Sequence, residues 1–293
     1  MILLDANQTM ISNVFAIYGK KTDDLTINDV RHSLLKGIMY FNNKFREYGD
    51  MVLCYDSHNY WRTSLFPHYK AARNTKQGSS NIQWGKIYKF FDIVKREVDE
   101  NFPYISMEVP SMEADDLIYA IVSEHHDDEE IMIVSSDKDF QQLQSYGGVH
   151  QYSPAHKDML VCDDPDSYLV EHIIKGDSSD GIPNVLSDSD TFVVDGKKQK
   201  IMNSKRFNTI LSRVKDDTIL DSEFGTNFQR NRDLIDLSSI SSENKEAIIN
   251  KFRTEVSSRK EWKDDGKIMD YLTSNRLMSI LKEMDQFHNK IDA

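Results

Sequence analysis

Three short apolar runs, each closed by an aspartate, constrain this chain more than any other feature: "MILLD" at 1–5, "MVLCYD" at 51–56 and "EIMIVSSD" at 130–137. An uninterrupted apolar run suits a strand buried on both faces of a parallel sheet. "YISMEV" at 104–109 is a fourth candidate strand. Helical spacing lies between the runs, over 28–48, about 84–101 and 113–125, so strands and helices alternate. That alternation predicts an α/β fold with right-handed crossovers. Open sheets of this kind bind ligands at the carboxyl ends of their strands. Asp5, Asp56 and Asp137 are thereby expected along one edge.

The helix beginning near 113 raises the question of what its first turn faces, because Glu113, Asp115 and Asp116 fall within four residues. One acid there is favoured by the helix dipole, by under about 1 kcal/mol when exposed. Three exceed the needs of capping. Asp139 follows Asp137 by two residues in "SSDKDF", and Asp177 and Asp180 lie in "KGDSSDGIPNV". A single strand-terminal Asp is most often a turn former or cap, and "DSSDG" alone lacks the rest of an EF-hand. Together, nine carboxylates in one cleft repel unless compensated. Hard divalent cations, Mg²⁺ or Mn²⁺, are the natural compensation for oxygen-only ligands. The metal set expected is Asp5, Asp56, Glu113, Asp115, Asp116, Asp137, Asp139, Asp177 and Asp180.

Other chemistries find no support. The chain holds no phosphate-loop motif, no G-x-G-x-x-G after "MILLD", no H-E-x-x-H, no paired C-x-x-C and no G-x-S-x-G. No apolar run approaches the roughly 20 residues of a membrane span, and the N-terminus lacks a secretory signal pattern. Two cysteines, Cys54 and Cys162, suit a reducing compartment, so an intracellular protein is expected.

A net charge of −12 argues at first against a nucleic-acid partner, but the average hides two basic islands. Ser57 to Arg96 carries eight basic residues against Asp92 alone, and Gly196 to Lys215 carries seven and no acid. Either island by itself reads most simply as a solvated face. The first, however, interleaves Tyr60, Trp61, Phe66 and Tyr69 with Arg62, Lys70, Arg73 and Lys76. Single-stranded nucleic acid needs that combination, rings to stack on and cations for phosphates. The second, with Lys197, Lys198, Lys200, Lys205 and Arg206, has one aromatic, Phe207, and suits the backbone of a duplex. An acidic multi-metal cleft beside a basic aromatic segment implies phosphodiester hydrolysis. Asp137 and Asp139 are the central catalytic carboxylates, with Lys70 and Arg73 placed to stabilise charge on the scissile phosphate.

At these residues the chain resembles the 5′-nuclease (flap endonuclease) superfamily, and within it the ribonuclease H branch of T-even-type bacteriophages. The motifs are Asp5 and Asp56, "YWR…YKAAR" (Tyr60 to Arg73), "EADD" (113–116), "SSDKDF" (135–140), "YSPAHK" (152–157) and "KGDSSDGIPNV" (175–185). The resemblance implies a PIN-like nuclease domain over 1–164, with a mainly parallel twisted sheet and a helical arch at about 57–83. It also implies a smaller, mainly helical duplex-binding domain over 165–293 with a helix–three-turn–helix region. By position, Asp5, Asp56, Glu113, Asp115, Asp116, Asp137 and Asp139 match the inner metal cluster, and Asp177 and Asp180 the outer site. The implied activity is Mg²⁺-dependent 5′→3′ exonuclease and flap cleavage on RNA–DNA and DNA–DNA duplexes. It serves removal of lagging-strand RNA primers by a monomer in the host cytoplasm. A phage single-stranded-DNA-binding protein is a candidate partner. The chain departs from the wider family at Asp180-Gly181-Ile182-Pro183-Asn184, which lacks the hairpin glycines of the duplex clamp and its potassium site. It also begins at its first strand, so a sliding-clamp contact is not carried over. Two other readings compete: a PIN-type single-strand endoribonuclease, and a silent nucleic-acid-binding protein. Length and the arch-like segment oppose the first, and nine intact carboxylates oppose the second.

Overall fold

The apolar runs form the middle of a six-stranded sheet in the computed structural model, which describes residues 1–73, 82–259 and 265–287. The strands are β1 (Ile2–Asp5), β2 (Met51–Cys54), β3 (Ile105–Met107), β4 (Ile131–Val134), β5 (Val149–Ser153) and β6 (Asp158–Leu160), in the order β3-β2-β1-β4-β5-β6. All pairs are parallel except β5 with β6. Alternation within each run divides the core. Ile2, Leu4, Met51, Leu53, Met132 and Val134 enter one layer, while Leu3, Val52, Cys54, Ile131 and Ile133 enter the other. Both faces must therefore be covered, as continuous apolar runs require.

The first face is covered by α1 (Ala6–Tyr18), α2 (Ile27–Lys44) and α3 (Trp84–Asn101), and the second by α4 (Ala114–His125). The second expected span agrees with α3, and the first runs as α2 followed by a short 3-10 turn at Arg46–Tyr48. Helix α1 follows β1 without a loop, because Asp5 is its N-cap and accepts a hydrogen bond from the Gln8 amide at 3.0 Å. Thr26 and Asp29 close a reciprocal capping box on α2.

The chain from 165 onward is helical, but it is not one separate body. Helices α5 (Pro165–Lys175), α6 (Ser204–Lys215) and α7 (Gly225–Ile235) build a third core, which also takes in Phe66 and Tyr69. After them α8 (Ser242–Arg259) returns to the second face through Ile248, Ile249 and Phe252, and α9 (Asp265–Ser274) to the first through Ile268, Tyr271 and Leu272. The helix does not continue after α9. Arg276 adopts a left-handed φ of 57°, and the described residues beyond it form single turns at Met278–Leu281 and Met284–Phe287. Phe287 ends up 1% exposed against Phe102 (ring centroids 4.9 Å apart), with its carbonyl accepting from the Tyr104 hydroxyl at 3.0 Å. Among the described residues no helix is long and apolar enough to cross a membrane.

This return path makes the sheet dependent on the C-terminus. Phe287→Ala should lower unfolding free energy by about 3–5 kcal/mol, the cost of emptying a buried aromatic site. Urea denaturation followed by circular dichroism checks this, and a loss below about 1 kcal/mol would show that the last turns are dispensable.

Candidate active site

Strand order reverses between β1 and β4, and the carboxylates collect at that crevice. Asp5, the last residue of β1, is 7% exposed and also accepts from Ser135 Oγ at 3.0 Å, on the loop after β4. Asp137 caps the 3-10 helix Lys138–Ser145 by accepting from the Asp139 amide at 3.0 Å. Gln151 on β5 is fully buried, and its Nε2 donates to the carbonyls of Ser135 (3.0 Å) and Asp137 (2.6 Å), fixing that loop. Asp56 accepts from the Ala114 amide (2.8 Å) and from Asn7 Nδ2 (3.2 Å), which ties β2 to the starts of α4 and α1.

The first turn of α4 divides its three acids between two environments. Asp115 faces the crevice, where burial, then Asp137 and Glu113, push its carboxyl well above the usual range. Glu113 and Asp116, three apart and so on one helical face, point the other way, at 1% and 0% exposed. Arg62 lies between them, its guanidinium 2.9 Å from each, and also donates to the Leu234 carbonyl at 3.0 Å. Glu113 further takes the Tyr69 hydroxyl (2.9 Å) and the Lys70 ammonium. Burial opposes its ionisation, but Lys70 and Arg62 outweigh that and hold it below the usual carboxylate range.

Several expected roles are corrected by this packing. Asp116 does not face the crevice: its carboxylate is occupied by Arg62, Trp61 Nε1 (3.0 Å) and the Glu113 amide (2.9 Å). Arg62, expected at a phosphate, is 2% exposed and serves those acids instead. Tyr69, expected to stack on bases, is 5% exposed within the third core. Lys197 is engaged by Asp188 (2.9 Å) and Asp190 in its own loop. Lys198, Lys200, Lys205 and Arg206 are exposed. Lys76, with the span 74–81 of the expected arch, lies outside the described residues.

The base of that segment reaches the site. Lys70 has a left-handed φ of 55°, and its amide donates to the Asp180 carbonyl at 2.8 Å. Arg73 lies 2.7 Å and Lys70 3.8 Å from the Asp180 carboxylate. Gly181, at φ 77°, packs so closely on the His68 carbonyl that a Cβ would lie 2.9 Å from it. Asp177 is held by Lys138 (3.0 Å) and by its hydrogen bonds to Ser179, while His172 stands between Asp177 and Asp139. A cleft of about 750 Å³ runs beside Asp56, Lys70 and Arg73, walled by Tyr60, Trp84 and Tyr88.

His172, Asn7, Gln151, Trp84 and Tyr88 carry no motif, and Lys138 lies inside "SSDKDF" without being singled out there; none of the six is an anticipated site residue. The interval of five between His172 and Asp177 is the one legible trace of the first.

No described lysine or arginine pairs with Asp5, Asp115, Asp137 or Asp139. Burial, then Asp56 and Asp137, pushes the Asp5 carboxyl up to about 7. Burial, then Asp137 and Asp177, raises Asp139 well above its ordinary value, and its Oδ1 is buried without a hydrogen-bond donor. Convergent, under-compensated oxygen donors of this kind fit a hard divalent cation.

A family model for the 5′-3′ exonuclease N-terminal resolvase-like domain matches residues 1–167. The chain belongs to the 5′-3′ exonuclease family. It is accordingly a 5′ nuclease, a phosphodiester hydrolase. A second model, for the C-terminal region of T4 RNase H, matches residues 164–287. The nuclease is 27% identical to ribonuclease H of Enterobacteria phage T4 over 97% of its own length and 95% of that protein's. Its fold is shared with the T5 5′-exonuclease carrying divalent (zinc) ions, at TM-score 0.64 and 16% identity over 88% of this chain and 99% of that one. It is shared equally with the bacteriophage T5 flap endonuclease in a pseudo-enzyme-product complex with DNA and metal ions (TM-score 0.64, 16% identity, 89% and 99% covered).

Raised carboxyls give the metal-free nuclease a definite pH dependence. A carboxyl with a raised folded-state pKa binds its proton more tightly than the unfolded chain does. Its contribution is complete below about 4 and is lost as pH climbs through the folded value, about 7 for Asp5. In EDTA, the melting temperature should fall by about 5–10 °C between pH 5 and 8, and Asp139→Asn should reduce the fall. Divalent ion should abolish it. Scanning calorimetry decides, and a flat or rising profile in EDTA would exclude uncompensated charge at this edge.

Proposed function

We propose that this nuclease is a Mg²⁺-dependent 5′→3′ exonuclease and flap endonuclease acting on RNA–DNA and DNA–DNA duplexes. Its role is the removal of RNA primers from the lagging strand in phage-infected cytoplasm, as a monomer. The observation that carries the reading is the segregation of charge at the crevice. Among the described residues, Asp5, Asp56, Asp115, Asp137 and Asp139 converge without a lysine or arginine ion pair, while Lys70 and Arg73 stand on the rim, on Glu113 and Asp180. Mn²⁺ is expected to substitute for Mg²⁺.

Asp5, Asp56, Asp115, Asp137 and Asp139 would hold the inner cation, and Asp177 and Asp180 an outer one. The cations supply activation of water and neutralisation of the attacking and leaving oxygens. The chain's own residues do the rest. Lys70 and Arg62 keep Glu113 ionised, and Arg62 and Tyr69 fix its position, so the first turn of α4 presents Asp115 at a constant angle. Lys70 and Arg73, each shared with a carboxylate, are available to a phosphate that competes for them. The strand ending in a 5′ terminus would follow the 750 Å³ cleft, with bases against Tyr60, Trp84 and Tyr88. Helix α6, carrying Lys205, Arg206, Arg213 and Lys215 without an acid, is placed to meet duplex phosphates, with Lys198 and Lys200 nearby in sequence.

A 5′-labelled flap and an RNA–DNA hybrid, each incubated with Mg²⁺ or EDTA, test the activity directly. Lys70→Ala should slow single-turnover cleavage by about 100-fold or more with binding changed less than about fivefold, since a cation at the scissile phosphate acts in the transition state. The same cleavage rate with weaker binding would remove that role.

Replacing Lys198, Lys200 and Lys205 together should flatten the log–log salt dependence of duplex binding by about one to three units. Affinity for a bare single strand should hardly change. An unaltered slope would mean that the island is a solvated face and the duplex is gripped elsewhere.

A further inference from the structure

His172 stands between two carboxylates at distances longer than a normal hydrogen bond to either. It lies in the last turn of α5, 7% exposed, with both ring nitrogens buried and without a hydrogen-bond partner. Nδ1 is 3.5 Å from Asp139 Oδ1, itself a buried oxygen without a donor, and Nε2 is 3.4 Å from Asp177 Oδ2. A neutral imidazole has one N–H. It can hydrogen-bond one of these carboxylates, but it then turns a lone pair toward the other.

We propose that His172 is a metal ligand, which joins an imidazole nitrogen and Asp139 to Asp177 at the outer site that Asp180 also borders and makes that site selective for a transition ion such as Mn²⁺ or Co²⁺ over Mg²⁺. One ring nitrogen and one oxygen of each carboxylate lie within 4.8 Å of one another. Ligands about 2.1 Å from a common ion stand about 3.0–3.4 Å apart when adjacent. The coordinating nitrogen already stands close to one carboxylate, 3.4 Å from Asp177 for Nε2 or 3.5 Å from Asp139 for Nδ1, and the third ligand, within 4.8 Å, closes the remaining gap as the ion binds. Carboxylates alone suit Mg²⁺, whereas an imidazole shifts preference toward the later divalent ions, in the order of the first transition row. Lys138, half exposed, sits 3.0 Å from Asp177 Oδ2 and can swing into solvent as an ion arrives.

The inference rests on reading the carboxylate edge as a metal centre, and the test separates the two. The full chain is titrated calorimetrically with Mn²⁺ and with Mg²⁺, and the Mn²⁺-loaded protein is examined by pulsed EPR for ¹⁴N coupling. Wild type should show coupling to one imidazole, absent in His172→Ala. That variant and His172→Gln should weaken Mn²⁺ at one site by at least about tenfold, with Mg²⁺ changed less than about threefold. Retention of the other Mn²⁺ site by both variants shows that the carboxylate centre stands independently of this proposal. Bound Mn²⁺ without ¹⁴N coupling in wild type would overturn it, leaving His172 as a hydrogen-bonding residue between two acids. Absence of any divalent binding in wild type would defeat the metal-centre reading itself and this inference with it.

Discussion

Excess negative charge held out of water at the β1–β4 crevice is the constraint around which the surrounding structure is arranged. Carboxylates at such a site cannot all ionise without partners, because their repulsion is weakly screened. Two kinds of compensation are visible. Glu113, Asp116, Asp177 and Asp180 are paired with Arg62, Lys70, Arg73 and Lys138. Among the described residues, Asp5, Asp115, Asp137 and Asp139 have no lysine or arginine partner, an arrangement that suits an external cation. The internal pairs are positional. A buried ion pair contributes little net stability, but removing one partner is severe, at about 3–5 kcal/mol. Arg62 therefore fixes the first turn of α4 more than it strengthens the fold.

Arg62 also joins the domains that a linear reading separates. Its donation to the Leu234 carbonyl links the Glu113–Asp116 turn to α7, while Phe66 and Tyr69, just beyond it, pack into the third core with Ile173, Ile174 and Ile235. The two regions share side chains at the catalytic edge, and α8 and α9 then return to the sheet. The position of Asp177 and Asp180 relative to Asp137 and Asp139 is consequently set by core packing, aided by the antiparallel bridge between Asp177 and Ile182. Gly176 permits it, since a Cβ there would lie 2.4 Å from the Ile182 carbonyl.

The supporting polar residues explain why some elements escape pattern reading. Strand β5 reads "VHQYS", with no apolar run, because Gln151 is used to hold the Ser135–Asp137 loop. Helix α1 begins at a residue that also ends a strand, so neither boundary carries its usual turn signal. Asn7 and Gln8 on its first turn bond Asp56 and the Ser136 amide, placing side chains typical of loops in a helix that serves the site.

Periodicity and spacing by themselves determined the four parallel strands β1 to β4, the helices near 28–48, 84–101 and 113–125, and the convergence of Asp5, Asp56 and Asp137. Continuous burial on both faces leaves an unbroken apolar run in the sequence, and strand ends in such a sheet share an edge by geometry. Tertiary structure alone decided which charges are free. Arg62 and Lys70 stand eight residues apart in one basic aromatic segment, as do Trp61 and Tyr69, and composition treats them alike. One cation is sealed beneath α4 and the other lies at the rim, because desolvation and partner geometry depend on what the fold brings against each side chain. The same holds for Asp115 and Asp116, adjacent in sequence and turned to opposite sides by about 100° of helix.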